Sequence, residues 1–256
     1  MSDIEVTLHL TSFNRPQRLK SCIDSFFSTC TYDTAKLETI IVDNGSTNEE
    51  VKDYIAELKP PCAKYSYILN PKNDYPSCLR YSKIQARRQA LGKYYIDCPD
   101  DHLFVIKSDW IQAAIEHVDR DATVGCVIHF AQPLYRYYKP NNEMSVHPTD
   151  DRYFRSHLKG YADYHLMRSQ VYSLLGEYQH ELGRKAEGEY MDRALNAGYF
   201  RNLMKYPVAF INDDNYEFLQ SIDQNLYENA FKGQDIPVTN EQLIQIGIQA
   251  QAIKGG

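Results

Sequence analysis

Polar and apolar positions alternate from Glu5 to Leu10, a period that predicts a first strand. It leads into Thr11-Ser12-Phe13-Asn14-Arg15, and Pro16 suits the first turn of a helix. In that helix Leu19, Cys22, Ile23, Phe26 and Phe27 share one face. Leu37 to Val42 contains the row Thr39-Ile40-Ile41-Val42, expected of a parallel strand covered on both sides. Asp43-Asn44-Gly45-Ser46 ends it in a turn, and Ser46 with Glu49 reads as a capping box for a helix through Leu58. Pro60-Pro61 breaks that helix, Tyr65 to Leu69 predicts a third strand, and Leu79 to Leu91 a helix closed by Gly92. Its Arg87 and Arg88 read as solvated helix charges rather than phosphate ligands. A buried strand then ends in Tyr94-Tyr95-Ile96-Asp97-Cys98-Pro99-Asp100-Asp101-His102.

Strands alternating with helices imply right-handed crossovers, so the fold class is α/β: a doubly wound, mostly parallel sheet with helices on both faces. The loops that follow its strands meet at the carboxyl edge, bringing 11–15, 43–46 and 100–102 together. Further on, Ser108 is placed to cap a helix containing Trp110, Ile111, Ala114 and Val118, and Val124 to Phe130 predicts another strand. Gln132 to Lys159 reads as an irregular, tyrosine-rich loop. Ser169 to Leu175 and Glu187 to Ala197 predict helices, the second stopped by Gly198, and Val208 to Ile211 a late strand. Two more helices are expected in the last part of the chain, with Asn240 a cap.

With 256 residues and 43% hydrophobic content, the chain can bury a sizeable core. Its net charge of −6 argues against nucleic acid as a partner. The six cysteines form no C-x-x-C pair, which suits reduced thiols in a cytoplasmic protein. No window approaches the roughly 18 apolar residues of a membrane span, and no signal peptide is evident. The 21 tyrosines suit sugar or base stacking as well as ordinary packing. Adjacent carboxylates beyond a strand end suit a hard cation, Mg²⁺ or Mn²⁺, and His102 beside them tilts the choice towards Mn²⁺.

Four segments, in order, resemble the family 2 glycosyltransferases of the GT-A fold: V-T-L-H-L-T-S-F-N-R at 6–15, I-I-V-D-N-G-S-T at 40–47, A-L-G-K-Y-Y-I-D-C-P-D-D-H at 90–102 and E-G-E-Y-M-D-R-A-L-N-A-G-Y at 187–199. The resemblance implies a GT-A glycosyltransferase domain over 1–212 and a C-terminal helical extension over 213–256. It implies a UDP-sugar donor, Mn²⁺ or Mg²⁺, and a hydroxyl of a glycan acceptor, with inversion at the sugar. Asp43 matches the contact to the donor base, Thr11 and Phe13 the loop packed on base and ribose, and Arg15 lies within reach of the nucleotide. Asp101 matches the metal ligand, Asp100 a ribose or secondary contact, and His102 a second ligand, although Pro99 stands where the family has its first aspartate. Glu187 aligns with the general base, with Glu189 the other candidate. Tyr161 and Asp163 match a donor-sugar and acceptor loop. Asn212-Asp213-Asp214 reads as a helix cap where many members carry a histidine. The C-terminal helices, with Phe218, Ile222, Leu226 and Phe231 at helical spacing, are expected to pack on the main domain, the other uses being pairing of two subunits or peripheral membrane contact. Two other functions fit less of the chain: a module that keeps the fold without catalysis, and a sugar nucleotidyltransferase, which would want a glycine-rich phosphate loop that T-S-F-N-R-P lacks.

Overall fold

The computed structural model describes residues 3–104, 107–128, 146–148, 153–156, 165–204 and 209–211. In chain order these form β1 (Val6–Ser12), α1 (Pro16–Thr29), β2 (Leu37–Asp43), α2 (Glu49–Glu57), β3 (Lys64–Leu69), α3 (Cys78–Gln89), β4 (Tyr94–Pro99) and β5 (His102–Phe104). The second part contributes α4 (Trp110–Arg120), β6 (Val124–Ile128), β7 (Val146–Pro148), β8 (Tyr153–Ser156), β9 (His165–Arg168), α5 (Ser169–Leu175), α6 (Ala186–Asn196), β10 (Phe200–Met204) and β11 (Ala209–Ile211).

One sheet dominates, with strand order β3-β2-β1-β4-β9-β6-β10-β8-β7 among the described residues. Its first four strands run parallel, as the alternating pattern predicts. β9 then enters antiparallel between β4 and β6. Beyond it β6 and β10 are parallel, and β8 and β7 continue antiparallel. The described parts of the segment read as one irregular loop, 146–148 and 153–156, are therefore strands, β7 at the edge and β8 between it and β10. β11 pairs with β5 in a separate two-stranded ribbon.

Strand alternation divides the core between the two faces. Val6, Leu8 and Leu10 of β1 and Tyr94, Ile96 and Cys98 of β4 meet the apolar sides of α1, α2 and α4 on one face. Leu19, Cys22, Ile23 and Phe26 are all buried there, as the 3.6-residue period requires. On the other face Ile40, Val42 and Tyr95 pack with Ala86 of α3 and Val171 of α5, but Thr7, His9, Glu38 and Asp97 are buried beside them. That face is thus apolar only in part.

Local detail corrects three expectations. Ser46 and Glu49 form no capping box: Asn48 caps α2 by accepting from Glu50 N–H at 2.9 Å, and Ser46 serves the strand-end loops instead. Asp109, not Ser108, occupies the cap position of α4. Gly92 does not close α3, whose cap is Ala90. Gly92 is required by closeness, since a Cβ there would lie 2.5 Å from Thr7 N. Its N–H donates to Thr7 Oγ1 at 2.9 Å, and Thr7 donates to buried Glu38 at 2.8 Å, which fixes the entry into β4. Gly198, with φ +82, does stop α6 as predicted. Among the described residues no helix is long and apolar enough to cross a membrane. The expected C-terminal helices, Asn212-Asp213-Asp214 and the Tyr161–Asp163 loop lie outside the described residues.

Candidate active site

The loops after β1, β2 and β4 meet at the carboxyl edge and are joined by their own backbone. Asn44 N–H donates to Ser12 O at 2.8 Å, and Asp100 N–H to Thr11 O at 3.0 Å. Asn14 adopts φ +54, a left-handed conformation that asparagine tolerates better than most residues. This turns its side-chain oxygen towards the N–H groups of Thr47 (2.8 Å) and Asn48 (3.1 Å), while its own N–H reaches Ser46 Oγ at 2.8 Å. The first two loops therefore form one unit.

Asp43 is fully buried and organises the turn after β2. Its carboxylate accepts from the N–H groups of Gly45 (3.1 Å) and Ser46 (2.8 Å) and from the Ser46 hydroxyl. Gly45 is indispensable to that turn, because it combines φ +79 with backbone atoms of Lys72 and Asn73 where a Cβ would stand. Beside the turn, Phe13 is 36% exposed.

The acidic pair faces a cation supplied by the chain. Arg15 Nη2 lies 2.5 Å from Asp100 Oδ1, and Arg15 Nη1 lies 3.8 Å from Asp101 Oδ2. Ser12, which no pattern along the chain singles out, donates to Asp100 Oδ2 at 2.9 Å. Asp100 is fully buried, whereas the side chains of Arg15 and Asp101 are 40% and 22% exposed. Burial pushes the Asp100 carboxyl up to about 6 against the pull of Arg15, with neighbouring Asp101 adding to the rise. Asp100 therefore anchors the loop, and Asp101 is the more exposed carboxylate of the two.

His102 follows in sequence but turns inward. It is fully buried on β5, with Nδ1 3.5 Å from Cys98 Sγ and its ring edge-on to Phe104. Burial holds its pKa down to about 3, so the ring is neutral. Among the described residues no group of three or more His, Cys, Asp or Glu side chains is arranged to hold a metal ion. A Mg²⁺-type site needs only one or two carboxylates when phosphate oxygens complete its shell, and the half-open Asp101 fits that role. His102, packed on Cys98 and Phe104, does not belong to the same opening.

Glu187 lies in the first turn of α6, and its side chain is outside what is described. Glu189 is committed within the helix: Arg193 Nε lies 2.6 Å from its Oε1, and Arg193 Nη2 donates to its Oε2 at 2.9 Å. The described contacts thus bring Thr11, Ser12, Asn14, Arg15, Asp43, Asp100 and Asp101 together, and none of them extends to Glu189.

A second polar group lies inside, below this edge. His9 and Asp97 face each other across the β1–β4 register. His9 Nδ1 donates to Asp97 Oδ1 at 2.9 Å, and Lys83 Nζ of α3 sits 2.6 Å from Asp97 Oδ2. Burial alone would raise the Asp97 pKa, but the Lys83 ammonium and the His9 hydrogen bond hold it well below the usual carboxylate range. Burial lowers the His9 pKa, so the neutral ring leaves Nε2 to accept from Thr11 Oγ1 at 3.1 Å. Polar His9 and Asp97 inside otherwise apolar strands were the sequence signal for this pair.

The sequence model for Glycosyl transferase family 2 matches residues 7–175. Among solved structures, the chain is similar to S. aureus TarS, with 12% identity and a TM-score of 0.59; the match covers 94% of this chain but only 42% of the TarS chain. It is similar to the mannosyltransferase PcManGT from Pyrobaculum calidifontis in complex with GDP-Man and Mn²⁺, with 16% identity, a TM-score of 0.60, and coverage of 98% of this chain and 75% of that one. It is also similar to residues 1–349 of S. aureus TarS in complex with UDP, with 12% identity, a TM-score of 0.58, and coverage of 96% and 70%. Among curated protein sequences nothing matches. With the parallel β1–β4 sheet and the acid-bearing carboxyl edge in place, the match over residues 7–175 makes the chain a member of glycosyl transferase family 2.

Proposed function

We propose that the chain is an inverting glycosyltransferase that moves a sugar from a UDP-sugar to a hydroxyl of a glycan acceptor, assisted by Mn²⁺ or Mg²⁺. The observation that carries this reading is the joined edge: Asp43, Arg15, Asp100 and Asp101 from three loops, tied by the Asn44–Ser12 and Asp100–Thr11 backbone bonds. UDP in TarS and GDP-Man with Mn²⁺ in PcManGT support a nucleotide-sugar donor and a divalent ion.

In this reading the donor base lies against Phe13 and the Asp43 turn, with Thr11 and Asp100 below the ribose. Asp101 would hold the divalent ion, which when bound would supply charge neutralisation for the leaving diphosphate. Arg15, already at this edge, adds a second positive charge. Glu187 takes the proton of the acceptor hydroxyl while its oxygen bonds to the anomeric carbon and the bond to the diphosphate oxygen breaks on the opposite face. A single displacement inverts the anomeric configuration. The engagement of Glu189 by Arg193 favours Glu187 as the base. Tyr161 and Asp163 are assigned to the sugar and acceptor on sequence grounds alone.

The test is transfer and hydrolysis with a panel of UDP-sugars and GDP-mannose, with Mn²⁺ present and after chelation. Glu187→Ala should keep UDP binding and lose transfer by roughly 10²–10⁴-fold. Activity with no donor, or full activity in both Glu187→Ala and Asp101→Ala, ends the proposal. A dead Glu189→Ala beside an active Glu187→Ala would move the base by two positions.

A further inference from the structure

Helix α3 carries two successive arginines with different surroundings. Arg88 is solvent-facing and holds Glu177 through two bonds of 2.7 Å. Arg87, one residue earlier and so about 100° around the helix, is buried. Its guanidinium lies between four tyrosine rings: Tyr172 of α5 at 4.2 Å, Tyr95 of β4 at 4.8 Å, Tyr178 at 5.2 Å and Tyr190 of α6 at 5.8 Å from the ring centres. Nη2 reaches His165 Nε2 and Met167 Sδ of β9, each at 3.3 Å. Nε and Nη1 have no hydrogen-bond acceptor, and no carboxylate lies within ion-pair distance among the described residues. The negative ring faces, together with the Tyr172 and Tyr190 hydroxyls and the Nη2 contacts, hold this buried cation.

The cage joins α3 to β4, α5, the segment before α6 and α6 itself. Tyr178 and Tyr190 stack at 4.2 Å, which links the segment before α6 to α6 itself. Beneath the helix, Tyr190, Met191 and Ala194 face Gly125, Cys126 and Met167 across a cavity of about 20 Å³. Farther along the helix, Arg193 bonds to the backbone oxygens of Leu175 and Glu177, which fixes the later turns rather than the first.

We infer that Arg87 is a positioning residue for sugar transfer: its tyrosine cage sets the seat of α6 and therefore of Glu187, which precedes Tyr190 by one helical turn. This rests on the reading that Glu187 is the base. The planar guanidinium fills a slot between ring faces that a compact ammonium fills poorly, so lysine is only a partial substitute. A base displaced by about an ångström from the acceptor hydroxyl costs on the order of 10²-fold in rate, while the donor edge, built on β1, β2 and β4, is untouched.

The experiment uses the full chain with Arg87→Met, Arg87→Lys and Tyr190→Leu. Transfer kinetics, UDP binding by calorimetry and amide exchange are measured on each. In Arg87→Met kcat should fall roughly 10²-fold while donor KM stays within about threefold. Tyr190→Leu should behave alike, Arg87→Lys should recover part of the loss, and exchange should rise in α6 but not in β1, β2 or β4. Unchanged kcat in Arg87→Met and Tyr190→Leu overturns the inference. So does a rise in donor KM matching the loss in kcat, or exchange rising equally through the parallel strands. Should Arg87→Met fail to fold, the lysine and Tyr190 variants decide by the same criteria. A wild-type protein inert with every donor ends the proposed function instead, and exchange in α6 then decides the seat alone.

Discussion

The carboxyl edge and the interior just below it each pair aspartates with a basic group from another segment, and they treat the pair in opposite ways. At the edge, Arg15 meets Asp100 and Asp101 with its own side chain 40% exposed. Inside, Lys83 and His9 enclose Asp97, with Lys83 7% and Asp97 3% exposed. Asp97 and Asp100 are only three residues apart in sequence. The difference shows what each is suited for. A cation on a half-open carboxylate can be exchanged for another, whereas a cation inside can leave only if a charge is stranded away from water.

The comparison breaks most visibly at Asp97. Asp97→Ala removes the buried carboxylate that Lys83 and His9 share and should cost about 3–5 kcal/mol in urea unfolding. At the edge, Asp101→Ala should lower transfer roughly 10²–10³-fold in kcat. Its unfolding free energy should stay within about 0.5 kcal/mol of wild type. An Asp101 variant that unfolds as readily as the Asp97 variant would erase the distinction. Gly45→Ala attacks the turn that holds Asp43 and should cost about 2–3 kcal/mol, since it forces a side chain into φ +79 and against the Lys72 backbone.

The smallest effect is one of pH. His102 has its pKa depressed by burial, so its contribution to stability is complete above the ordinary histidine value and is lost as pH falls towards its native value of about 3. Between pH 7 and pH 5 the unfolded chain gains a proton that native His102 refuses, a loss of about 2 kcal/mol. In His102→Phe that slope should flatten, as read from urea midpoints at the two pH values. An unchanged slope would place His102 in solvent with Asp101.

Much of the first half was legible because its signals are local. The Leu19–Phe27 face and the Thr39–Val42 row each describe one element whose burial follows from its period. The edge was legible too, since residues after parallel strands must meet there. What the pattern missed depends on distant partners. Nothing in His165 to Arg168 indicates insertion between β4 and β6 rather than an outer position. Arg87 and Arg88 have the same helical propensity and the same charge, so only the tyrosines of 95, 172, 178 and 190 distinguish them, and three of those lie far along the chain. Ser46 looked like a helix cap because the spacing fits, but Asp43 and Asn14 compete for its hydroxyl and win.

The place of β9 has a consequence for how the protein is made. Among the described residues β9 stands between β4 and β6 in the sheet, and its pairing with both neighbours holds the two halves side by side. A ribosome releases β1 to β4 and then β6 well before His165 emerges. The parallel quartet can close early, while β6 must wait beside an open edge until its middle partner arrives.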